Sequence, residues 1–517
     1  AQSMVLQRSV GGFEAPHAVD WLSRSANGPS PGGEVRTTLD SRLQTEIETI
    51  LQRRLEALRD HHATQAAAVV IENSSGRVRA WVGSRDFFST DGGQINGAWT
   101  PRSPGSALKP FTYALAFERG DTPASIVADL PVEFPTESGV YRPENYDLRC
   151  FGPMTHRTAL ANSLNVAAVR VLDRVGGASE LKTRLEDLGI GTLDEPAEHY
   201  GLGLTIGNAP VRLIELTNAY AALARLGEWK PWTLLANAAN DESRAVIDPL
   251  AAWWISDILS DNAARQLTFG RRSPLRFDFP VAVKTGTSSE YRDNWTFGYT
   301  PEFTVGVWMG NFDRSPMRNV SGVSGAATIL QDVFVHLQEQ FDLTWFQRPK
   351  GLTPVKIDPR TGHRLLPASP PARVTVEEHL RPDHLPHPAS ATDYDAKGRA
   401  LLGQEFATWI RSKDNWMGDL VALRSTEEGP PDLEITNPVN GTILQLDPDL
   451  PNGGRRLYLE TRHGGDVTWT SPTLRIQRDG SHWVAELMPG EHTLTVIHTA
   501  SGRRATSRIV VRPDPVE

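Results

Sequence analysis

Apolar positions between residues 34 and 345 follow two rhythms, and the switch between them outlines a fold. Residues 67–71 and 78–82 are apolar runs separated by Glu72-Asn73-Ser74-Ser75-Gly76, a turn sequence that predicts a β-hairpin. Ahead of them, 35–39 is a strand candidate. Asp40 or Ser41 can then cap a helix in which Leu43, Ile47, Ile50, Leu51 and Leu55 recur on one face. From Ser106 to about residue 226 helical spacing dominates. The run 158–172 carries Ala161, Leu164, Ala168 and Val171 at steps of three and four, and 210–226 is similar. Residues 279–287, 294–300 and 303–310 then read as strands and 326–340 as a closing helix. Strands, a helical block, strands and a final helix predict an α+β domain with one sheet assembled from both ends of the segment and helices packed on it.

The flanks differ. Residues 1–33 mix Pro16, Pro29, Pro31 and paired glycines and read as an arm or linker. Residues 346–430 are rich in proline, from Pro354 to Pro386, and read as a connector with a short helical patch at 396–410. From 431 to 517 the pattern is all β. Short strands at 433–436, 442–446, 456–461, 467–470, 474–477, 482–487, 492–498 and 505–511 are broken by Asn-Gly, Asp-Gly and Pro-Gly turns, which predicts a small Ig-like sandwich with Trp469 and Trp483 in its core. The expected division is therefore 1–33, 34–345, 346–430 and 431–517.

Composition narrows the function classes. A length of 517 residues suggests two or three domains, and 39% hydrophobic with 22% charged residues is a globular balance. A net charge of −9 without a basic stripe argues against nucleic acid as a partner. The single cysteine, Cys150, excludes a disulfide framework, and the 14 histidines show no H-x-x-x-H spacing, so neither a metal nor a cofactor is expected. No apolar run approaches the roughly 18 residues of a membrane span. The start, Ala1 to Met4, reads as processed or engineered, so the chain is expected to be a fragment of a longer polypeptide.

The chemistry centres on Ser106-Ala107-Leu108-Lys109. A serine hydroxyl needs a base to become a nucleophile, and a lysine three residues on shares its helical face. Pro110 fits only in a first turn, which places Ser106 at a helix start beside unpaired N–H groups. S-x-x-K alone is a weak signal whose bland reading is an exposed helix start. Two further patterns change the odds: Ser163-Leu164-Asn165, and Lys284-Thr285-Gly286-Thr287 on a strand entered through Pro280.

In this order, residues from about 35 to 340 resemble the transpeptidase module of penicillin-binding proteins, serine acyltransferases whose superfamily includes the serine β-lactamases. The segments 102–111, 141–146 (Tyr-Arg-Pro-Glu-Asn-Tyr), 216–220 and 291–295 resemble the bifunctional, class A type. The C-terminal sandwich, with Ala15-Pro16-His17, is most similar to the penicillin-binding protein 1C branch. Members of that branch carry an anchor and a glycosyltransferase domain ahead of this region; neither is in this chain, and no glycan polymerisation is expected of it.

The resemblance implies catalytic roles for Ser106, Lys109, Ser163 and Lys284, and substrate binding by Asn165, Thr285, Gly286 and Thr287. The backbone N–H groups of Ser106 and Thr287 would form the oxyanion hole. Lys109 must be neutral to accept a proton, and burial beside Lys284 would push it that way. The expected partners are peptidoglycan stem peptides, with β-lactams as covalent inhibitors, in the periplasm. Glycan or a cell-envelope protein is left open as a partner of the C-terminal domain. Three rivals stand beside D,D-transpeptidation. A class A β-lactamase is disfavoured because no glutamate segment follows S-L-N. A D,D-carboxypeptidase differs only in its acceptor, and a penicillin- or peptidoglycan-binding module would acylate without turnover. Asp293 is expected to pair with a nearby arginine such as Arg292, and Cys150 to be incidental.

Overall fold

In the computed structural model the described residues are 14–25, 34–136, 139–238, 242–424, 433–446, 454–462, 466–480, 482–499 and 504–513. They fall into two units, Ala1–Leu423 and Arg424–Glu517. The first grows from the predicted hairpin, whose strands Gln65–Glu72 and Arg77–Val82 pair antiparallel. Phe303–Gly310 lies on the other side of Gln65–Glu72, followed by Asp293–Tyr299 and, at the edge, Ala282–Thr287. Among the described residues these five antiparallel strands form one sheet drawn from both ends of the segment, the α+β arrangement expected from the pattern.

Both faces of the sheet are covered, which is why its strands read as continuous apolar runs. Ala66, Ala68, Val70, Val305, Val307 and Met309 pack with the helices Ser41–Ala57 and Ala326–Gln340. Ala67, Val69, Ile71, Trp295, Phe297 and Tyr299 pack with the helical block that includes Lys109–Glu118, Asn165–Arg174, Leu213–Ala224 and Pro249–Ser260. Asp40 caps Ser41–Ala57 by accepting from the N–H groups of Arg42 at 3.0 Å and Leu43 at 3.1 Å. Among the described residues no helix is long and apolar enough to cross a membrane.

Several local expectations need correction. Residues 35–39 form no strand; Thr37 makes one isolated bridge to Leu235, because neighbouring backbone groups are spent singly, as in Thr38 N–H to Leu234 O at 2.9 Å. Residues 16–24, expected as arm or linker, are the helix Pro16–Arg24. His17 Nε2 donates to Gly93 O at 2.9 Å, and Trp21 sits 5.1–5.6 Å, ring to ring, from Trp81, Trp99 and Trp232. The run 158–172 is two helices, His156–Ala161 and Asn165–Arg174. The patch 396–410 is helical only in its second half, a 3-10 turn Gln404–Phe406 running into the helix Ala407–Arg411, after the strand Ala400–Leu402.

The proline-rich stretch holds structure of its own. Thr353–Ile357 pairs with Val376–Leu380, Ala400–Leu402 pairs with Val421–Leu423, and Tyr394, Leu402, Phe406 and Trp409 share a small core. It is tied to the helical block by buried polar anchors. Arg157 donates to Glu378 twice at 2.7 Å, to Asp257 at 2.6 Å and to Asp261 at 3.3 Å. Trp409 Nε1 donates to Cys150 O at 2.8 Å and Trp416 Nε1 to Phe151 O at 2.9 Å.

In the second unit all eight predicted strands form. Among the described residues they make two four-stranded sheets, one of Glu434–Asn437, Arg456–Arg462, His482–Glu486 and Arg475–Asp479, the other of Ile443–Gln445, Arg504–Arg512, Gly490–His498 and Val467–Thr470. Their inner faces share a core of Leu459, Trp469, Ala485, Leu494, Val496 and Ile509. Trp469 is buried as expected. Trp483 is only partly buried, with the Arg478 guanidinium 5.7 Å over its ring.

Candidate active site

Ser106 lies in the tight turn Gly105–Leu108 that feeds the helix Lys109–Glu118, with Pro110 in its first turn as its missing N–H requires. Three glycines fix this turn. Gly105 has φ +54°, and a Cβ there would stand 2.4 Å from Thr287 O and 2.8 Å from Thr287 N. A Cβ at Gly286 would meet Pro104 O at 2.1 Å, and one at Gly207 would meet Gly105 N and O at 2.3 Å. The turn is thus clamped between the edge strand and the end of the segment Gly201–Ile206, backbone against backbone. Arg102 braces its base: it exchanges backbone bonds of 2.9–3.0 Å with Val211, and its guanidinium donates to Asn311 O at 3.1 Å and Phe312 O at 2.9 Å.

Ser163 sits at the break between the two helices. The first helix ends with Ser163 N–H on Leu160 O and Leu164 N–H on Ala159 O, both 3.0 Å, the bonding of a Schellman motif. That motif needs a left-handed residue where glycine is usual, and Ser163 takes it at φ 60°. A non-glycine residue there costs about 1–2 kcal/mol. The turn then starts a second helix at Asn165, so that the Ser163 and Asn165 side chains both reach the same ammonium group.

That group is Lys109, which has no measurable exposure. Its Nζ donates to Asn165 Oδ1 at 2.6 Å, to Ser163 O, and at 3.5 Å to Ser163 Oγ. Lys284, from the middle of the edge strand, donates to the same Ser163 Oγ at 2.8 Å and to Thr285 O at 2.7 Å. The Ser163 hydroxyl therefore lies between two amines. Burial holds Lys109 well below the usual lysine range, the nearby Lys284 charge pushes it lower, and Asp129 opposes both. Burial, reinforced by Arg265, pushes Lys284 down to about 7. Among the described residues the Ser106 hydroxyl has no hydrogen-bond partner. The Lys109 amine, three residues on, makes its hydrogen bonds instead to the Ser163 carbonyl and hydroxyl and to the Asn165 carboxamide.

Along the edge strand, alternation puts Thr285 and Thr287 on one side and Lys284 and Gly286 on the other. Thr287 Oγ1 accepts from Gly322 N–H at 3.1 Å, which leaves its own O–H to donate. Ser106, Ser163, Asn165 and Thr287 are all partly open to solvent.

Two residues escaped the sequence reading as site residues. Asn145 Oδ1 accepts from Asn165 N–H at 2.7 Å and Val166 N–H at 3.2 Å, and Asp129 Oδ1 accepts from Ala167 N–H at 3.2 Å. Asn145 lies within the quoted Tyr-Arg-Pro-Glu-Asn-Tyr segment; Asp129, at the end of the short strand Ile126–Asp129, carried no signal. The next residue, Tyr146, reaches the other wall, its hydroxyl in short contact with that of Tyr291. Asp293 is paired, but Arg292 is not its partner. Its carboxylate accepts from Trp308 Nε1 at 2.9 Å and Ser288 Oγ at 3.1 Å and stands 3.9 Å from Arg102, while Arg292 turns to Glu290. Cys150 is a free thiol that burial pushes up to about 12, far from a reactive thiolate.

A sheet carrying one lysine at its edge and a helical block carrying a second, with serines between them, describes an enzyme of the serine acyltransferase type. Residues 66–333 match the family described as penicillin binding protein transpeptidase domain, and the chain belongs to that family. Residues 422–511 match the penicillin-binding protein C-terminus family. Penicillin-binding protein 1C of Escherichia coli strain K12 is 33% identical over 343 residues, covering 66% of this chain and 43% of that protein. The chain spans less than half the length of the curated relatives it matches. Among solved structures, penicillin-binding protein 1A of Haemophilus influenzae gives a TM-score of 0.60 at 18% identity, covering 72% of this chain and 76% of that one. PonA1 of Mycobacterium tuberculosis in complex with penicillin V gives 0.52 at 22% identity, covering 65% of this chain and 96% of that one. These likenesses show the fold.

Proposed function

We propose that the chain is a peptidoglycan D,D-transpeptidase of the periplasm, acylated on Ser106 by stem pentapeptides and by β-lactams. Ser106 Oγ attacks the carbonyl carbon of the penultimate D-alanine, and its proton passes to neutral Lys109. The oxyanion is met by the N–H groups of Ser106 and Thr287, which the Gly105 contact keeps adjacent; one such donor is worth about 3–4 kcal/mol. As the tetrahedral intermediate collapses, the C–N bond breaks, and the Ser163 hydroxyl relays a proton to the departing D-alanine nitrogen. Asn165 holds the substrate amide. Thr285 and Thr287, with the potential of Lys284, hold the terminal carboxylate, and Gly286 lets the substrate backbone approach the strand. An amine of a neighbouring stem peptide then takes the acyl group.

The observation that carries this reading is the Ser163 hydroxyl shared by two buried amines, one of them three residues from Ser106. Fluorescent penicillin should label the chain, with one adduct by intact mass, and Ser106→Ala should abolish labelling; a variant that labels at the wild-type rate defeats the assignment. A pentapeptide supplied with and without an amine acceptor distinguishes a transpeptidase, which forms the amide, from a carboxypeptidase, which only releases D-alanine.

A further inference from the structure

The helix Asn165–Arg174 begins with Leu164 in an extended conformation and no side-chain cap of its own. Its first N–H groups would be unpaired without help from elsewhere. Asn145 and Asp129, 20 and 38 residues upstream of the N–H groups they receive, supply that help. Asn145 Oδ1 takes the N–H groups of Asn165 and Val166, and Asp129 Oδ1 takes that of Ala167. The two residues are joined to each other, since Asn145 Nδ2 donates to Asp129 Oδ2 at 2.7 Å and to Arg149 O at 2.8 Å. Asp129 Oδ2 also accepts from Phe151 N–H at 2.8 Å, and Glu144 O receives the Asn165 carboxamide at 2.7 Å. Asp129 is wholly buried.

We propose that Asp129 and Asn145 are positioning residues of the site: together they fix the first turn of this helix, and through it the Asn165 carboxamide and Ser163, against Lys109. Asn165 would otherwise rest on a frayed helix end, where a shift of about 1 Å in a positioning group costs on the order of a hundredfold in rate. The carboxylate is the right cap for a second reason. A helix N-terminus favours negative charge, and an anion there also sets the potential at the buried amines. Asp129 faces Lys109 and Tyr113 from the helix Lys109–Glu118, Arg170 from the helix it caps, and Cys150 from the preceding loop; Lys109 in turn faces Lys284. Burial pushes Asp129 up to about 6, against the hydrogen bonds from Phe151, Asn145 and Ala167, so it is charged above that pH. There it draws the Lys109 amine back toward protonation and places the acid limb of acylation higher than the lysine pair alone would.

The inference rests on the acylation of Ser106 proposed above, so the test measures single-turnover labelling by fluorescent penicillin, from pH 5 to 9, for the whole chain. Wild type and Ser106→Ala report on the acylation itself: labelling of the first and not the second upholds that reading independently of what the other variants do. Asn145→Ala should then slow acylation roughly ten- to a hundredfold per folded molecule. Asp129→Asn, which removes the charge and replaces one accepting oxygen with an N–H donor, should move the acid limb to lower pH, a change that lost hydrogen bonds alone would not produce. Acylation within twofold of wild type in both variants, with the acid-limb midpoint unmoved, overturns the proposal. Should Asn145→Ala not fold, Asp129→Asn decides alone: a downward shift of the midpoint supports the arrangement and an unmoved midpoint overturns it.

Discussion

Gly105→Ala tests how Ser106, the proposed nucleophile, is held. The added methyl group would stand 2.4 Å from Thr287 O, 2.7 Å from Thr287 C and 2.8 Å from Thr287 N. Ordinary carbon–oxygen contact is about 3.3–3.6 Å, so the edge strand and the Ser106 turn must separate by about 1 Å. The turn cannot retreat the other way, because Gly207 already packs on the Gly105 backbone. Two costs follow. Alanine at φ +54° carries about 1–2 kcal/mol of backbone strain, and overpacking costs about 1–3 kcal/mol more in stability. Separately, a 1 Å shift of Thr287 N–H relative to Ser106 would spoil the proposed oxyanion geometry, worth on the order of a hundredfold in acylation, or about 2.7 kcal/mol of barrier. Gly120→Ala is the control: its φ is +99° and a Cβ there meets nothing within 4 Å, so it should lose about 1–3 kcal/mol of stability and no acylation rate per folded molecule. The assay is the time course of penicillin labelling, corrected by the folded fraction from a thermal melt. If Gly105→Ala acylates within twofold of wild type, the contact between turn and strand does not set the oxyanion site.

Further outcomes follow from the buried charges. Lys284 sits near 7 in the folded chain and near 10.4 unfolded; between these values the unfolded state binds more protons, so stability rises with pH by up to about 1.4 kcal/mol per unit. Lys284→Met should flatten the rise in urea midpoint from pH 7 to 9, and equal slopes in the two proteins would contradict the burial argument. Asp293→Ala leaves Trp308 Nε1 unpaired and Arg102 without its carboxylate and should cost about 2–4 kcal/mol by chemical denaturation. Arg292→Ala, which loses only the exposed contact with Glu290, should cost less than about 0.5 kcal/mol, and similar losses would restore Arg292 as the partner. Arg157→Met strands the buried Glu378 beside Asp257 and Asp261 and should cost about 3–5 kcal/mol near neutral pH, partly recovered as the pH is lowered. Full stability at pH 7 would mean that the 376–380 strand is not held through this pair.

What the sequence made legible was chemistry that needs particular side chains. The proposed reaction needs a hydroxyl, two amines and a carboxamide, and Ser106, Lys109, Lys284 and Asn165 offer them in short patterns that stand out. The helices Ser41–Ala57 and Ala326–Gln340 and all eight strands of the second unit were equally plain, because each carries its own periodic apolar face. The break at Ser163 was hidden for a physical reason. Ala161, Leu164, Ala168 and Val171 keep steps of three and four across it, and the left-handed conformation was taken by a serine rather than the glycine that would have marked it.

The remaining misses share one cause: each depends on a single contact between distant parts of the chain. Gly105 and Gly207 matter for the atoms they lack, and nothing in their neighbours says which backbone will approach. Asp129 carries no signal in the sequence, and its place is set only when Asn145 and the helix at Asn165 fold over it. The proline-rich stretch reads as a connector because proline removes donors and breaks periodicity, yet Glu378, Trp409 and Trp416 fasten it to residues 150–157, the lead-in to Ser163. Periodicity reports elements that bury a face of their own. The candidate site is assembled by residues that do not, so the groups proposed to react were visible in the sequence while most of what holds them in place was not.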